Sequence, residues 1–500
     1  MDYDAIIIGS GVGGMTAGLL LRKEGMRVLV LEQAAELGGL LRVFRRGGCV
    51  FPTGVHCLGS LAPGQILWRY LRYAGVLDRV HLVQMDADGF EDYRFPDLDF
   101  RVPSDAGRFR QRLLERFPSE RSAIDRFFAD MRRVVGHFAL YNLPGALEES
   151  PTELDVQPLQ AYLDDLTSSA ELKAILTAAN PLYGVEPAAC PLYVHFLVLD
   201  SMLNSAWRVA ENRTPLADAF VAALKAAGVD ARASARVVAV EQDAGAVRGV
   251  RLESGEAISG RLVVFTGHPR QLAELCGSGL RPAYVNRIAE MPETPGLFGV
   301  CLAWKNERSP FARSDVIVYN SLNTGRQYDQ ESVLSGGELP HMVYCHGSAE
   351  PSGGGYSVVG LCALSARELQ PYWHTRLGAR SPEYRAAKQG LAERIAARIA
   401  AMIAERWPES AADARIVDSF TSLTFRDYTL TPEGSAFGIK KQVNAVRSRI
   451  AAATRIKGLY LAGQNLVLPG VLGTVISSVD ACGVILGRQY LVDKIVKETA

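Results

Sequence analysis

The sequence predicts an α/β fold because three segments, far apart in the 500-residue chain, each carry an apolar strand into a glycine-rich turn. They lie near the start, in the middle and close to the end. An apolar run without alternation is typical of a parallel strand that is covered on both faces. Glycines after such a strand allow a tight turn and a close approach of the backbone to a ligand. We therefore expect one parallel sheet assembled from distant segments.

The first segment has the order strand, glycine loop, helix, strand and acid. These parts are residues 5–8, the G-x-G-x-x-G spacing of Gly9, Gly11 and Gly14, residues 15–24, residues 27–31, and Glu32. In such a unit the glycines allow the tight turn, the approach of a pyrophosphate and close helix packing. The helix N-terminus favours the phosphates, and the acid after the second strand binds the ribose hydroxyls. The segment predicts a dinucleotide-binding βαβ unit.

A second glycine pair, Gly38-Gly39, follows the acid and favours FAD over NAD. A plain nicotinamide domain does not need it, whereas two-domain flavoproteins use such a loop to pass close to the cofactor. We therefore expect FAD. The predicted contacts of this first segment are Gly9, Gly11, Val12, Gly13, Gly14, Glu32, Gln33, Gly38, Gly39 and Leu40.

The middle segment resembles the β-meander and closing strand of glutathione-reductase-type flavoproteins. Residues 235–241, 247–252 and 261–265 are predicted strands. The resemblance places the backbone of Val237 beside the adenine. It places Thr266 and Gly267 where the chain leaves the sheet near the cofactor.

The last segment is a strand that ends at Gly463, followed by a long apolar helix to about Lys494. In flavoproteins of this kind the turn contacts the pyrophosphate and ribitol. The helix N-terminus points at the flavin, where its dipole stabilises negative charge. The predicted contacts are Gly463, Gln464, Asn465, Gly470, Val471, Gly473 and Thr474.

Together the segments predict a discontinuous, Rossmann-like FAD-binding domain of the glutathione-reductase type with a second, α+β substrate domain. The FAD-binding segments are residues 1–60, 210–280 and 430–500, and the substrate segments are residues 61–209 and 281–429.

Composition excludes several other classes of protein. Lys+Arg and Asp+Glu are equal at 54 each, so nothing favours a nucleic-acid partner. The eight cysteines form no C-x-x-C pair or His/Cys cluster, which predicts free thiols and no metal. No targeting segment or charge-free run long enough to span a bilayer is visible. We therefore expect a cytoplasmic protein.

The whole chain resembles the phytoene-desaturase-like group, which contains carotenoid desaturases, carotenoid isomerases and retinol saturases. The Thr-Gly-Val-His at residues 53–56 and the Ala-Gly-Gln at residues 462–464 are most similar to the retinol saturase branch. Pro52 and Asn465 stand where an Asp is common, and residues 211–215 replace a Gly-Gly pair. The segments that carry the resemblance are residues 9–14 with Glu32 and Gly38-Gly39, 51–56, 117–120, 434–438 and 458–464.

The remaining segments fit a lipophilic small-molecule substrate. The apolar run 191–207 is either core or the wall of a substrate tunnel. The Arg-rich stretch 108–133, with four phenylalanines, is either a solvated basic face or a peripheral membrane contact. Both alternatives stay open at this point.

The chemistry is predicted to be that of the flavin, because no nucleophilic triad or metal set is visible. His56 is the candidate catalytic side chain, since it lies in the motif next to the predicted flavin; a structural hydrogen bond is the alternative. Saturation, desaturation and isomerisation of a polyene or isoprenoid all remain open. So do amine oxidation on the same fold and a lipid carrier that has lost its flavin. No second dinucleotide fingerprint follows, so NAD(P)H docked at the substrate entrance or another donor reduces the flavin.

Overall fold

The computed structural model describes residues 1–143, 152–305, 309–353, 355–408, 414–443 and 450–500. Its strands are β1 (Tyr3–Ile8), β2 (Val28–Leu31), β3 (Val43–Arg46), β4 (Cys49–Pro52), β5 (Leu58–Gly59), β6 (Leu82–Gln84), β7 (Glu91–Phe95), β8 (Leu98–Val102), β9 (Ala206–Val209), β10 (Asp230–Arg232), β11 (Val237–Asp243), β12 (Ala246–Leu252), β13 (Ala257–Phe265), β14 (Gly296–Trp304), β15 (Asp315–Tyr319), β16 (Met342–Gly347), β17 (Tyr356–Leu364), β18 (Ala414–Phe420) and β19 (Leu459–Leu461).

The α-helices lie between these strands and at the C-terminus. They are α1 (Val12–Lys23), α2 (Ile66–Tyr73), α3 (Ala106–Arg116), α4 (Arg121–Gly136), α5 (Ala139–Asn142), α6 (Glu153–Val156), α7 (Leu159–Leu166), α8 (Ala170–Thr177), α9 (Leu192–Asn204), α10 (Leu216–Ala227), α11 (Leu272–Cys276), α12 (Pro282–Ala289), α13 (Ala366–Leu369), α14 (Pro382–Arg406), α15 (Ser422–Thr429), α16 (Gly470–Leu486) and α17 (Arg488–Glu498).

The first seven-stranded sheet joins the three glycine-rich segments. Strands β10, β2, β1, β13 and β19 are parallel in that order. The first half of β13 instead pairs antiparallel with β12, and β12 pairs antiparallel with β11. A single long strand thus links the parallel sheet to the β-meander. The predicted Rossmann-like α/β fold is confirmed.

Two helix boundaries differ from the sequence-based prediction. Helix α1 begins at Val12 rather than at residue 15, because Gly13 and Gly14 already form its first turn. The predicted C-terminal helix is two helices, α16 and α17. They are separated at Gly487, whose φ of 101° ends the first helix.

The second seven-stranded sheet has the order β18-β14-β17-β16-β15-β7-β8 and is antiparallel except between β15 and β7. Helix α14 covers it with Leu391, Ile395, Ile399 and Ile403, all of which are buried. Two small sheets have the strand orders β5-β9-β6 and β3-β4. The seven-stranded sheet supports an α+β substrate domain; the four boundaries between the five predicted segments stay a prediction.

The Arg-rich stretch 108–133 forms α3 and α4, and its four phenylalanines pack inside the protein. Phe109, Phe117, Phe127 and Phe128 are all buried. Several arginines are paired with carboxylates, among them Arg108 with Asp88, Arg110 with Asp125 and Arg126 with Asp165. These four rings are therefore not available to enter a bilayer, and a peripheral membrane contact of the protein stays a prediction. Among the described helices, none combines the length and the apolar character that crossing a membrane requires.

A buried ion pair ties the small sheet β5-β9-β6 to the second large sheet. The Arg208 guanidinium on β9 donates to the Asp315 carboxylate on β15 and to the carbonyl oxygen of Gly347, the latter at 2.8 Å. The two charged side chains are 2% and 0% exposed. Burial by itself raises the pKa of the Asp315 carboxyl, but Arg208 together with His56 lowers it below its usual value. The carboxylate is therefore ionised and depends on its partner.

We predict that Arg208→Met lowers the free energy of unfolding by about 3–5 kcal/mol, because it leaves a buried carboxylate without its cation. Arg213→Met is the matched control. Arg213 pairs with Glu350 at 2.7 Å but is 55% exposed, so its loss should cost about 1 kcal/mol or less. Urea denaturation of both variants measures the difference. Equal losses would show that the Arg208–Asp315 pair does not anchor the sheets.

Candidate functional site

The three glycine turns meet at the carboxyl ends of β1, β13 and β19. The Thr266 hydroxyl donates to the carbonyl oxygen of Ile8 at 2.9 Å, and the Ala462 N–H donates to that of Phe265 at 3.0 Å. A Cβ atom built on Gly463 would lie 3.0 Å from the carbonyl oxygen of Thr266. In open α/β sheets, ligands bind outside the carboxyl ends of the strands. This crevice is therefore the predicted nucleotide site.

The glycines of the first loop divide into two groups. Gly14 and Gly13 are needed for packing: a Cβ atom on Gly14 would lie 1.9 Å from the carbonyl oxygen of Gly9, and one on Gly13 would lie 3.3 Å from the Cα of Gly463. Gly11 instead faces open space, with no atom within 4 Å of its Cβ position. Bare backbone before open space at a helix N-terminus fits a pyrophosphate.

Glu32 is held at the end of β2 by three donors. Its Oε2 accepts from the Ser10 N–H at 2.9 Å and from the Ser10 hydroxyl at 2.7 Å, and its Oε1 accepts from the Ala34 N–H at 2.9 Å. The Ser10 hydroxyl also accepts from the Gly38 N–H at 3.0 Å. The acid thus connects the first glycine loop to the second. A fixed carboxylate at this position suits the ribose hydroxyls.

The remaining predicted contacts of the adenosine end lie around this carboxylate. Gln33 is exposed directly after it, and Val237 begins β11 close by. The Ala235 N–H, two residues before Val237, donates to the carbonyl oxygen of Glu32 at 2.7 Å. Gly39 lies against the first loop, since its Cβ position is 3.1 Å from the Cα of Gly11. The structure therefore brings the first glycine loop, the Gly38-Gly39 loop and the middle segment together.

The N-terminus of α16 forms the other end of the crevice. The Ser478 hydroxyl donates to the carbonyl oxygen of Gly13 at 2.9 Å, which fixes α16 against α1. The Cβ position of Gly470, the first residue of α16, is open within 4 Å. The residues of this region that line a cavity are Val12, Leu40, Gln464, Gly470, Val471, Gly473 and Thr474.

Two predicted contacts, Asn465 and Gly267, already make close contacts within the protein. The Asn465 amide oxygen accepts from the Ile439 N–H at 2.8 Å, and Gly438 approaches so closely that a Cβ atom there would lie 2.1 Å from it. Gly267 packs against Phe265, whose ring lies 2.7 Å from the Gly267 Cβ position. Contact of Asn465 and Gly267 with the cofactor stays a prediction. The other predicted residues lie around the carboxyl ends of the sheet or line the cavity beside it, where FAD would fit, and their contact with the cofactor also stays a prediction.

An apolar cavity continues from this crevice toward the second sheet. Leu197, Val198 and Met202 on one side of α9 line it, while other residues of that helix belong to the core. The run 191–207 is thus both core and cavity wall. Further apolar lining comes from several other regions of the chain and includes Leu182, Leu297, Val359, Leu361, Phe420, Phe425, Phe437, Leu468 and Leu472.

One polar cluster interrupts the apolar wall, and it contains His56. The Nδ1 atom of His56 lies 3.1 Å from the Tyr344 hydroxyl, and Tyr344 donates to Asp315. The His346 ring stacks on the His56 ring with centroids 4.8 Å apart. Burial lowers the pKa of His346 well below its usual value and raises that of Tyr344 well above. Both are therefore neutral near pH 7.

Four residues of this network were not predicted from the sequence: Tyr344, His346, Asp315 and Arg208. They come from three strands that no local motif marks. Tyr344 and His346 are two residues apart on β16, so they share one face of the strand. That Tyr-x-His alternation in an apolar run was the one available signal.

The spacing of the polar side chains in this cluster also suits a metal ion, but the Asp315 carboxylate already has hydrogen-bond partners within the protein. The ligand atoms of His56, Cys57 and Asp315 all lie within 4.8 Å of one another. Arg208 and Tyr344, however, occupy one oxygen each of the Asp315 carboxylate. Burial also raises the pKa of the Cys57 thiol well above its usual value, which disfavours the thiolate. The cluster is complete without an ion, and the absence of a metal stays a prediction.

Comparisons with known proteins agree with this geometry. The family described as flavin containing amine oxidoreductase matches residues 12–353. An all-trans-retinol 13,14-reductase of Macaca fascicularis is 26% identical over 98% of this chain and 86% of its own length. A prolycopene isomerase of an Oncidium hybrid cultivar is 31% identical over 27% of this chain and 23% of its own.

A solved oxidoreductase from Methanosarcina mazei has the same fold. It covers 95% of this chain and 98% of its own, with a TM-score of 0.64 and 15% identity. The predicted FAD cofactor, oxidoreductase class and resemblance to the retinol saturase and carotenoid isomerase group are confirmed. Since the match takes in most of the chain, including the α1 and middle segments of the crevice, the protein belongs to the flavin-containing amine oxidoreductase family.

Proposed function

We propose that this protein reduces a carbon–carbon double bond of a polyene, with a retinoid-like chain as the substrate class. The observation that carries the proposal is the apolar cavity that runs from the N-terminus of α16 to the His56 cluster. A conjugated hydrocarbon offers few polar atoms, so walls of leucine, valine and phenylalanine recognise it by burial and shape. The relative that covers 98% of the chain is named as a retinol reductase.

The protein's own residues orient the substrate and exclude water. Val198 and Met202 of α9 and Val359 and Leu361 of β17 line the same cavity, and closely packed walls hold the reacting carbons in one position. The α16 N-terminus contributes a positive dipole end, which stabilises negative charge on the cofactor. Bound FAD supplies the two-electron chemistry.

Reduction is favoured over isomerisation and amine oxidation. The isomerase relative matches 27% of the chain, whereas the reductase relative matches 98%. An amine oxidase is expected to place an aromatic pair beside the flavin near the C-terminus. Leu468, Val471 and Leu472 line the cavity there instead. A carrier without flavin has no need of the open backbone at Gly11 and Gly470.

We further propose that NAD(P)H or another donor reaches the cofactor through the substrate opening, and that the protein contacts membranes peripherally from the cytoplasm. Phe425 of α15 lines the cavity, while Tyr428 on the same helix and Leu430 just beyond it are 51% and 39% exposed. Leu377 beside them is 56% exposed. An apolar surface next to the cavity suits entry of a substrate from a bilayer.

Cosedimentation with phosphatidylcholine vesicles tests the membrane contact. We expect the protein to pellet with vesicles and the double variant Leu377→Ser/Leu430→Ser to stay largely in the supernatant, because it removes the exposed apolar surface. Leu339→Ser is the control, since Leu339 is 43% exposed elsewhere. Equal pelleting of all three would contradict the proposal.

Anaerobic photoreduction tests the reaction itself. The reduced protein is mixed with retinol, with a carotenoid and with an amine-derived imine, and flavin absorbance is followed. We expect retinol to restore the oxidised spectrum and to yield a dihydro product two hydrogens heavier by mass spectrometry. Reoxidation by the imine but by neither polyene would refute the proposed function.

The cavity wall gives a matched pair of variants. Val198→Trp should fill the space between α9 and the His56 cluster and lower kcat/KM for the polyene by about tenfold or more, by blocking the bound geometry. Val484→Trp makes the same change at a position of α16 that is 45% exposed, and it should leave kcat/KM near the wild-type value. Flavin absorbance should be normal in both. An unchanged kcat/KM in Val198→Trp would show that the substrate binds elsewhere in the protein.

A further inference from the structure

We propose that Tyr344, held by the buried Asp315–Arg208 pair, fixes His56 as its Nδ1–H tautomer and thereby makes Nε2 the proton-carrying atom of the cavity. Tyr344 and Asp315 are then positioning residues, and His56 is the catalytic one. The substrate in this inference rests on the proposed function. The tautomer does not, because it follows from contacts within the protein.

The direction of the hydrogen bonds follows from the charge of Asp315. Arg208 keeps this carboxylate ionised, and an ionised carboxylate can only accept. The Tyr344 hydroxyl has a single proton and donates it to Asp315. Its oxygen is therefore left to accept from His56, whose Nδ1 lies 3.1 Å away. Nδ1 must then carry a hydrogen.

The surroundings of His56 leave only its second nitrogen for the substrate. His346 covers one face of the ring at 4.8 Å and is neutral. Within the described residues, no hydrogen bond is formed by Nε2 of His56. The His56 side chain is 20% exposed and lines the cavity, whereas Asp315 is 0% exposed. The proton source that can touch a substrate is therefore the imidazole rather than the carboxylate behind it.

This arrangement completes the reduction of a double bond. With FAD bound, the reduced cofactor would supply a hydride to one alkene carbon, and the π electrons would form the bond from the other carbon to the proton on Nε2 of protonated His56. The imidazolium loses that proton and becomes the neutral Nδ1–H form. Because Tyr344 accepts from Nδ1–H in both protonation states, the ring does not need to turn between them.

Nitrogen NMR on the holoprotein labelled with ¹⁵N-histidine tests the tautomer directly. His56→Gln identifies the His56 signals among the eight histidines. In the wild-type protein at a pH where His56 is neutral, we expect Nδ1 to show the shift of a protonated nitrogen and Nε2 that of an unprotonated one. The opposite pattern would overturn the proposal.

Tyr344→Phe and Tyr319→Phe form a matched pair. Tyr319 is a buried tyrosine on the neighbouring strand β15, and its hydroxyl donates to the carbonyl oxygen of Ala178 at 2.8 Å, away from His56. We expect Tyr344→Phe to convert His56 to a mixture of tautomers or to the Nε2–H form. Tyr319→Phe should leave the spectrum of His56 unchanged. A Tyr344→Phe spectrum identical to the wild type would also overturn the proposal.

Kinetics with retinol give a second readout. Tyr344→Phe should lower kcat by about 10²-fold, as for loss of an oriented general acid, while the Kd for retinol, measured by fluorescence quenching, stays within about twofold of the wild type. An equal loss in Tyr319→Phe would mean that the effect is structural and would count against the positioning role. If no polyene is reduced but the Nδ1–H tautomer and its dependence on Tyr344 are observed, the proposed function fails and this inference stands.

Discussion

The close approach of the glycine turns at the carboxyl ends of β1, β13 and β19 is the constraint on which the rest of the structure depends. Gly14 lies so near the carbonyl oxygen of Gly9 that no side chain fits between them, and Gly13 lies against the turn that contains Gly463. These contacts join segments that are more than 400 residues apart in the chain. They set α1 and α16 side by side with both N-termini at one crevice. The cofactor site is thus a consequence of how the sheet closes.

A second constraint joins the small sheet β5-β9-β6 to the second large sheet, which carries part of the cavity wall. The Arg208–Asp315 pair joins two sheets in a region without access to solvent, where an ion pair is stable only if both partners stay in place. Asp315 also accepts a hydrogen bond from the Tyr344 hydroxyl, and Tyr344 contacts His56 in the loop that follows β4. The same buried charge therefore supports the fold and orients the polar group of the cavity.

The parts of the site that sequence predicts are those made by neighbours in the chain. The loop at Gly9, Gly11 and Gly14 needs glycine for local steric reasons, so its spacing is visible without the fold. Tyr344 and Arg208 lie on strands of different sheets. Only the assembled fold brings both to Asp315, and Tyr344 to His56. No local pattern reports such pairing. Asn465 shows that a local motif does not reveal contacts within the protein. Its position beside Gln464 predicts a cofactor contact, and its amide oxygen also accepts a hydrogen bond from the Ile439 N–H.

The family fold leaves the choice of substrate to the side chains around the cavity. In this chain aliphatic side chains at positions 468, 471 and 472 line the cavity, and its walls from α9 and β17 fit the proposed hydrocarbon. A hydrocarbon gives the protein no polar handle at the reacting carbons. The proton must then come from a group whose position is set by the protein alone. The network behind His56 meets that requirement, because each of its hydrogen bonds ends on another protein atom rather than on the substrate.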